Sequence, residues 1–192
     1  MANPTTGNRT ERLSIRILQD EDVEPARLLH NDDSTLLRLN DPQHVSQAQQ
    51  EGWFQALSKS RTSRRYAVRE TATGEFVGVF RIDEIDEING SACVGLDITA
   101  EKRGNGYAPE IYGYFFDYFF EQRHLHRLYL AVLEINDVAR NLYTKLGFTE
   151  EGRSREALFR DGAYRDLIWM SLLRPGYVAL RDGQITDKQD AP

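Results

Sequence analysis

Residues Leu96-Asp97-Ile98-Thr99-Ala100-Glu101-Lys102-Arg103-Gly104-Asn105-Gly106-Tyr107-Ala108-Pro109 run from a strand through a glycine loop into a helix. Gly104 and Gly106 let backbone N–H groups come close to a ligand, and the helix N-terminus behind them adds unpaired donors at the positive end of a dipole. This is chemistry for an anionic phosphate. A nucleoside-triphosphate loop would need Gly-Lys followed by Ser or Thr, whereas Gly106 is followed by Tyr107 and Ala108, so that reading fails. A dinucleotide fingerprint would need a third glycine at position 109, where Pro109 stands, although Glu134 could still imitate the ribose-binding acid. A tight strand-to-helix turn without any ligand also suits the segment.

Around the loop, hydrophobic periodicity sets the remaining elements. Leu13, Ile15 and Ile17 alternate with polar neighbours as a half-buried strand, and Asp20-Glu21-Asp22 introduces a helix with acids suited to its N-terminus. Val45 to Leu57 has the spacing of a second helix, and Tyr66 to Arg69 and Phe76 to Ile85 read as strands. Asn89-Gly90 turns the chain into a strand over Ser91 to Thr99. The helix from about Pro109 to Arg123 is aromatic on several faces, which implies burial against a sheet or a partner. A strand over Leu128 to Val132 precedes a helix opened by Asn136 and closed by Gly147, and a hairpin turning at Asp161-Gly162 ends the series. The order β-α-α-β-β-β-α-β-α-β-β predicts a mixed sheet with helices packed on it. With no Pro- or Ser-rich linker, the expected organisation is a disordered segment over 1–10, one domain over 11–175 and a polar tail over 176–192.

The 192 residues, 40% hydrophobic and 28% charged, suit a single globular domain. No apolar run approaches the roughly 18 residues of a membrane span, and the polar start lacks the pattern of a secretory signal, so a cytoplasmic location is expected. One cysteine, Cys93, cannot make an internal disulfide, and no Cys or His spacing suggests a metal site. A net charge of −6 argues against direct nucleic-acid binding through phosphate neutralisation.

About thirty residues after the glycine loop lies Asn136-Asp137-Val138-Ala139-Arg140-Asn141-Leu142-Tyr143-Thr144-Lys145-Leu146-Gly147-Phe148. Together with Arg103, Gly106 and Ala108, which match Arg or Gln, two residues, Gly, one residue, then Gly or Ala, this segment resembles the paired cofactor motifs of the GNAT superfamily of N-acetyltransferases. The resemblance runs from Val77 to Leu173. Glu84-Ile85, the run Leu125 to Leu130 and Gly152 to Arg165 are similar to the branch holding ribosomal-protein N-terminal and spermidine acetyltransferases. It implies the GNAT fold, α/β (mixed), with a largely antiparallel sheet of about seven strands and about four helices. It also implies acetyl-CoA as co-substrate and, as acceptor, a primary amine: a protein or peptide N-terminus, a polyamine or another small molecule. The alternative is a non-catalytic acetyl-CoA-binding sensor or assembly module, and a nicotinamide oxidoreductase is a third.

The same resemblance assigns Arg103, Gly104, Asn105, Gly106, Tyr107 and Ala108 to the pyrophosphate. It assigns Leu96, Ile98, Thr99, Asn136 and Asn141 to the rest of the cofactor, and Tyr143 to the thioester, where its phenol would protonate the departing thiolate. Packing among Ala139, Leu142 and Leu146 is the competing role for Tyr143, and N-capping for Asn136. Glu84 and Asp97 are the candidate bases. Many superfamily members carry a glutamate on the strand that here holds Cys93, so a simple carboxylate base is in question. Asp83, Glu84, Asp86 and Glu87 form an acidic run that could attract a polyamine or merely face solvent. Cys93 lacks a neighbouring histidine that would make it a nucleophile. The aromatic helix and the terminal hairpin could support a homodimer.

Overall fold

A computed structural model describes residues 9–183; the disorder expected before residue 9 and the tail expected after residue 183 lie outside the described residues. Seven strands make one sheet in the order β1-β2-β3-β4-β5-β7-β6. They are β1 Leu13–Ile17, β2 Arg64–Glu70, β3 Phe76–Asp86, β4 Ser91–Ile98, β5 Arg127–Leu133, β6 Thr149–Arg160 and β7 Ala163–Leu173. All neighbours are antiparallel except β4 and β5, which run parallel. The helices among the described residues are α1 Asp20–Asn31, α2 Asp33–Leu36, α3 Gln47–Lys59, α4 Tyr107–Phe116, α5 Asp137–Lys145 and α6 Arg174–Arg181.

Six helices therefore stand where about four were expected. α2 is too short to produce a periodic signal. The chain after Pro175, read as a polar tail, instead begins a helix, because proline in the first turn sacrifices no intrahelical bond. Tyr177 then buries its ring against Phe120 at a 4.9 Å centroid distance and donates its hydroxyl to Asp117. The aromatic helix also departs from its expected form: α4 ends at Phe116 and a π-helical stretch, Asp117–Gln122, carries the chain on.

The core lies where α4 crosses the sheet. Phe80 of β3 stacks on Phe115 at 3.7 Å, and Tyr112, Phe116, Phe119 and Phe120 are buried around them. The aromatic faces of this helix are thus consumed by the chain's own sheet. On β1, Leu13 and Ile15 are fully buried, as their alternation predicts.

Two ion clusters tie elements together. Asp22 of α1 is fully buried; Arg16 Nη1 of β1 lies 2.9 Å and Arg69 Nη2 of β2 lies 2.7 Å from its carboxylate, which also accepts from the Gln19 N–H at 3.0 Å. At the other end of the sheet Glu151 accepts from both Arg127 terminal nitrogens at 2.5 Å and from Ser171 Oγ at 2.7 Å. The Arg127 guanidinium in particular holds the Glu151 carboxyl down to about 2. A depressed folded-state pKa contributes stability that is complete above the ordinary value of 4.5 and is lost as pH falls toward 2. Glu151→Gln is expected to flatten the decline of the unfolding midpoint over that window, measured by thermal melts at a series of pH values. An unchanged decline would show that this carboxylate does not contribute.

Candidate active site

The parallel pair β4–β5 is joined at only three positions, Ser91↔Arg127, Ala92↔Leu128 and Cys93↔Tyr129. Beyond Cys93, β4 stays with β3 while β5 stays with β7 through Leu133, so the two strands diverge. The opening is a cavity of about 350 Å³, lined by Leu96, Asp97 and Ile98 on one side and Ala131 and Val132 on the other. Backbone groups of β4 that face the gap after Cys93 have no partner strand, so an extended ligand with amide groups can pair there as a strand would.

One end of this cavity is the glycine loop, with Gly104, Gly106, Tyr107 and Ala108 in its lining. Gly104 and Gly106 both have positive φ, 77° and 75°, a region that side chains disfavour. A Cβ at Gly104 would meet nothing within 4 Å, so the loop is open toward an incoming group. Its shape is held from outside. Arg12 donates to the Asn105 carbonyl at 3.1 Å and to Glu110 at 2.7 Å, and the Asn105 side chain donates to the Lys102 carbonyl at 3.2 Å.

The other end is built by α5. Asn136 caps that helix, accepting from the Ala139 N–H at 3.2 Å, and also lines the cavity. Tyr143, two turns further, meets Tyr112 edge to face at 6.0 Å and lines the same space. Burial raises the Tyr143 phenol above its ordinary pKa, which keeps it protonated near neutral pH. The Tyr112 hydroxyl is buried with no hydrogen-bond partner, as expected of a group that a polar ligand would satisfy. Arg38, Arg81 and Arg103 line the cavity against one carboxylate, Asp97, while Lys102 in the same lining is paired with Glu70 and Glu75; the remaining surplus of cations suits an anionic occupant.

A second cavity, also of about 350 Å³, adjoins the first, and Leu39, Asn40, Arg81 and Asp97 belong to both linings. Asp97 is the carboxylate common to the two spaces, with its Oδ2 3.5 Å from Arg81 Nε. The wall at Leu39 and Asn40 is pinned by Arg160 at the tip of the β6–β7 hairpin, which donates to both carbonyls at 2.7 and 2.9 Å.

The expected site residues thus divide. Leu96, Asp97, Ile98, Arg103, Gly104, Gly106, Tyr107, Ala108, Asn136 and Tyr143 line one continuous space; Thr99, Asn105 and Asn141 do not. Arg103 spends its side chain on the protein, donating to the Ile98 carbonyl at 2.9 Å and to the Ser34 and Thr35 hydroxyls at 2.7 Å each. Its side chain therefore locks α2 against the loop. Glu84 lines neither cavity. A strand irregularity between Asp83 and Asp86 puts its backbone at φ 51°, and its carboxylate accepts from the Tyr129 hydroxyl at 2.5 Å. As a candidate base it is set aside on that geometry. Cys93 has its thiol pushed up to about 11, chiefly by burial, and stays protonated near neutral pH. Arg38, Arg81 and Tyr112 were not expected. For Arg81 a signal was present: a single charge inside the apolar run Phe76-Val77-Gly78-Val79-Phe80-Arg81-Ile82.

Among the described residues no group of three or more His, Cys, Asp or Glu could hold a metal ion, and no helix is long and apolar enough to cross a membrane. The family model described as acetyltransferase (GNAT) domain matches residues 12–149. A spermidine N(1)-acetyltransferase of Vibrio cholerae serotype O1 is 29% identical over 167 residues, which is 87% of this chain and 96% of the relative. The [ribosomal protein uS5]-alanine N-acetyltransferase of Escherichia coli K12 is 23% identical over 176 residues, covering 88% and 91%. The crystal structure of the Vibrio cholerae spermidine N-acetyltransferase in complex with CoA and spermine matches this fold with a TM-score of 0.82 at 28% identity, covering 88% of this chain and 99% of that one.

Proposed function

Since this chain belongs to the GNAT acetyltransferase family, we propose that it transfers the acetyl group of acetyl-CoA to a primary amine by direct attack within a ternary complex. The observation that carries the reading is the continuity of one cavity from the glycine loop to Tyr143. Backbone N–H groups of Gly104 to Ala108, with Arg38 nearby, hold the pyrophosphate; the unpaired edge of β4 and Asn136 take the pantetheine arm. The Arg38 side chain makes no hydrogen bond or ion pair among the described residues and is free for a phosphate. The second cavity admits the amine, which meets the thioester at Asp97.

In the reaction the neutral amine nitrogen attacks the thioester carbonyl carbon, forming the C–N bond, and the C–S bond breaks. An alkylammonium has a solution pKa of about 10.4, so its proton must first be removed. Asp97 or a water chain beginning there accepts it. Backbone N–H groups of β4 facing the gap stabilise the oxyanion, and Tyr143 gives its phenolic proton to the departing thiolate. A single reduced thiol at Cys93 suits a cytoplasmic setting. Phe159 and Tyr164, exposed and packed edge to face at 5.3 Å at the hairpin tip, support the expected homodimer.

The test is thiol release from acetyl-CoA across a panel of amines. Amine-stimulated release supports transfer, and tight acetyl-CoA binding without release by any amine would favour the sensor module. The loop itself is checked by Gly106→Val. A β-branched residue at φ 75° forces the loop to move, so the acetyl-CoA dissociation constant is expected to rise about tenfold or more. Retained affinity in a calorimetric titration would count against the loop contact.

A further inference from the structure

The relatives that act on spermidine raise the question of whether the second cavity suits a polycation. Its lining carries two guanidiniums, Arg65 and Arg81, against two carboxylates, Asp41 and Asp97, and Asp97 already faces Arg81. Of the features that would receive a second or third ammonium group, the exposed Asp41 carboxylate has no partner among the described residues, but the Trp53 face and the acidic run are not free. The face of Trp53 is covered by Arg65, whose guanidinium carbon stands 5.8 Å from the ring centroid. The acidic run is spent within the chain: Asp83 pairs with Arg65 at 3.0 Å, Glu84 with Tyr129, Asp86 with the Asn89 turn and Glu87 with Arg123 at 2.6 Å.

The cations, in contrast, have donors to spare. Arg65 uses only Nη1, toward the Arg64 and Ile82 carbonyls and Asp83, and its remaining N–H groups have no partner among the described residues. Arg81 lies flat against β4 at Gly95, where a built Cβ would sit only 2.5 Å from its Nη2, so any side chain at 95 would expel it. Its Nε is buried without a hydrogen bond. A guanidinium with unused parallel donors is a receptor for a planar oxyanion, which it can grip through two bonds.

We propose that the acceptor is an aminocarboxylate, a small molecule whose carboxylate is held by the Arg65–Arg81 pair while its amine faces Asp97. The proposal rests on the acetyl-transfer reading above and names its substrate class. The chemical step is unchanged: the amine is acetylated and the carboxylate is only bound.

Thiol release by the full chain would be compared for ω-amino acids of increasing length, their uncharged amides, diamines of matched length and spermidine. The best amino acid is expected to exceed its amide and its matched diamine in kcat/KM by about tenfold or more, the scale of one charge-assisted contact. In Arg81→Met, and separately in Arg65→Gln, the acid-to-amide ratio should fall toward one, mainly through the acceptor KM. The amide comparison needs no variant and stands if either substitution prevents folding. A higher kcat/KM for spermidine or a diamine, or equal values for acid and amide, overturns the aminocarboxylate assignment alone. Acetyl-CoA binding with no release by any amine overturns the transfer reading and this proposal with it.

Discussion

Replacing Tyr143 by phenylalanine is expected to lower kcat about a hundredfold while changing the acetyl-CoA dissociation constant by no more than about twofold. The phenol is the group on α5 that can supply a proton in the cavity proposed for the thioester, and burial keeps it protonated near neutral pH. Phenylalanine preserves the ring that meets Tyr112 and Phe148 at 6.0 and 5.8 Å, so packing of α5 on the core should survive. The two roles of Tyr143, proton donor and core residue, therefore separate in this one substitution. Single-turnover acetyl transfer at saturating acceptor, with acetyl-CoA binding measured by calorimetry, tests it. An unchanged chemical step would remove Tyr143 from the acid's role and leave it a packing residue.

The largest effect on stability is expected from Asp22→Ala. Removing this carboxylate leaves Arg69 without an ion partner beside a fully buried position, leaves Arg16 only its pair with the exposed Glu21, and deprives the Gln19 N–H of its acceptor. Breaking a buried pair by deleting one partner costs about 3–5 kcal/mol. Both arginines retain some solvent access and can turn outward, which places the expected loss near the lower end, about 3 kcal/mol. For a domain of this size that corresponds to a fall in Tm of about 6–12 °C. Asp22→Asn should fall less, because its side-chain oxygen can still accept from Gln19 and one arginine. A fall of under about 3 °C in the alanine variant would show that solvation of the freed guanidiniums replaces what the carboxylate supplied.

Sequence reasoning captured the elements built from local rules. Alternation marked β1, the turn residues Asn89-Gly90 and Asp161-Gly162 marked two reversals, and Asn136 and Gly147 marked the ends of α5. The shape of the glycine loop was also legible, because positive φ and a helix N-terminus follow from residues adjacent in the chain. Segments whose structure depends on distant partners were less legible. α6 looked like a tail until Tyr177 found Phe120, and Glu84 looked like a base until the irregularity in β3 turned it to Tyr129.

By itself, the sequence determined the family, the order of the seven strands and of four of the six helices, and the two motifs proposed to meet the cofactor, since each is a contiguous run. Only the tertiary structure decided that β4 and β5 part after Cys93, and that the parting joins both motifs in one space. It likewise decided that Arg65 and Arg81, sixteen positions apart along two strands, line the same second cavity. The physical reason is that strand pairing and side-chain burial are set by contacts between residues far apart in the chain, whose joint free energy no local pattern records.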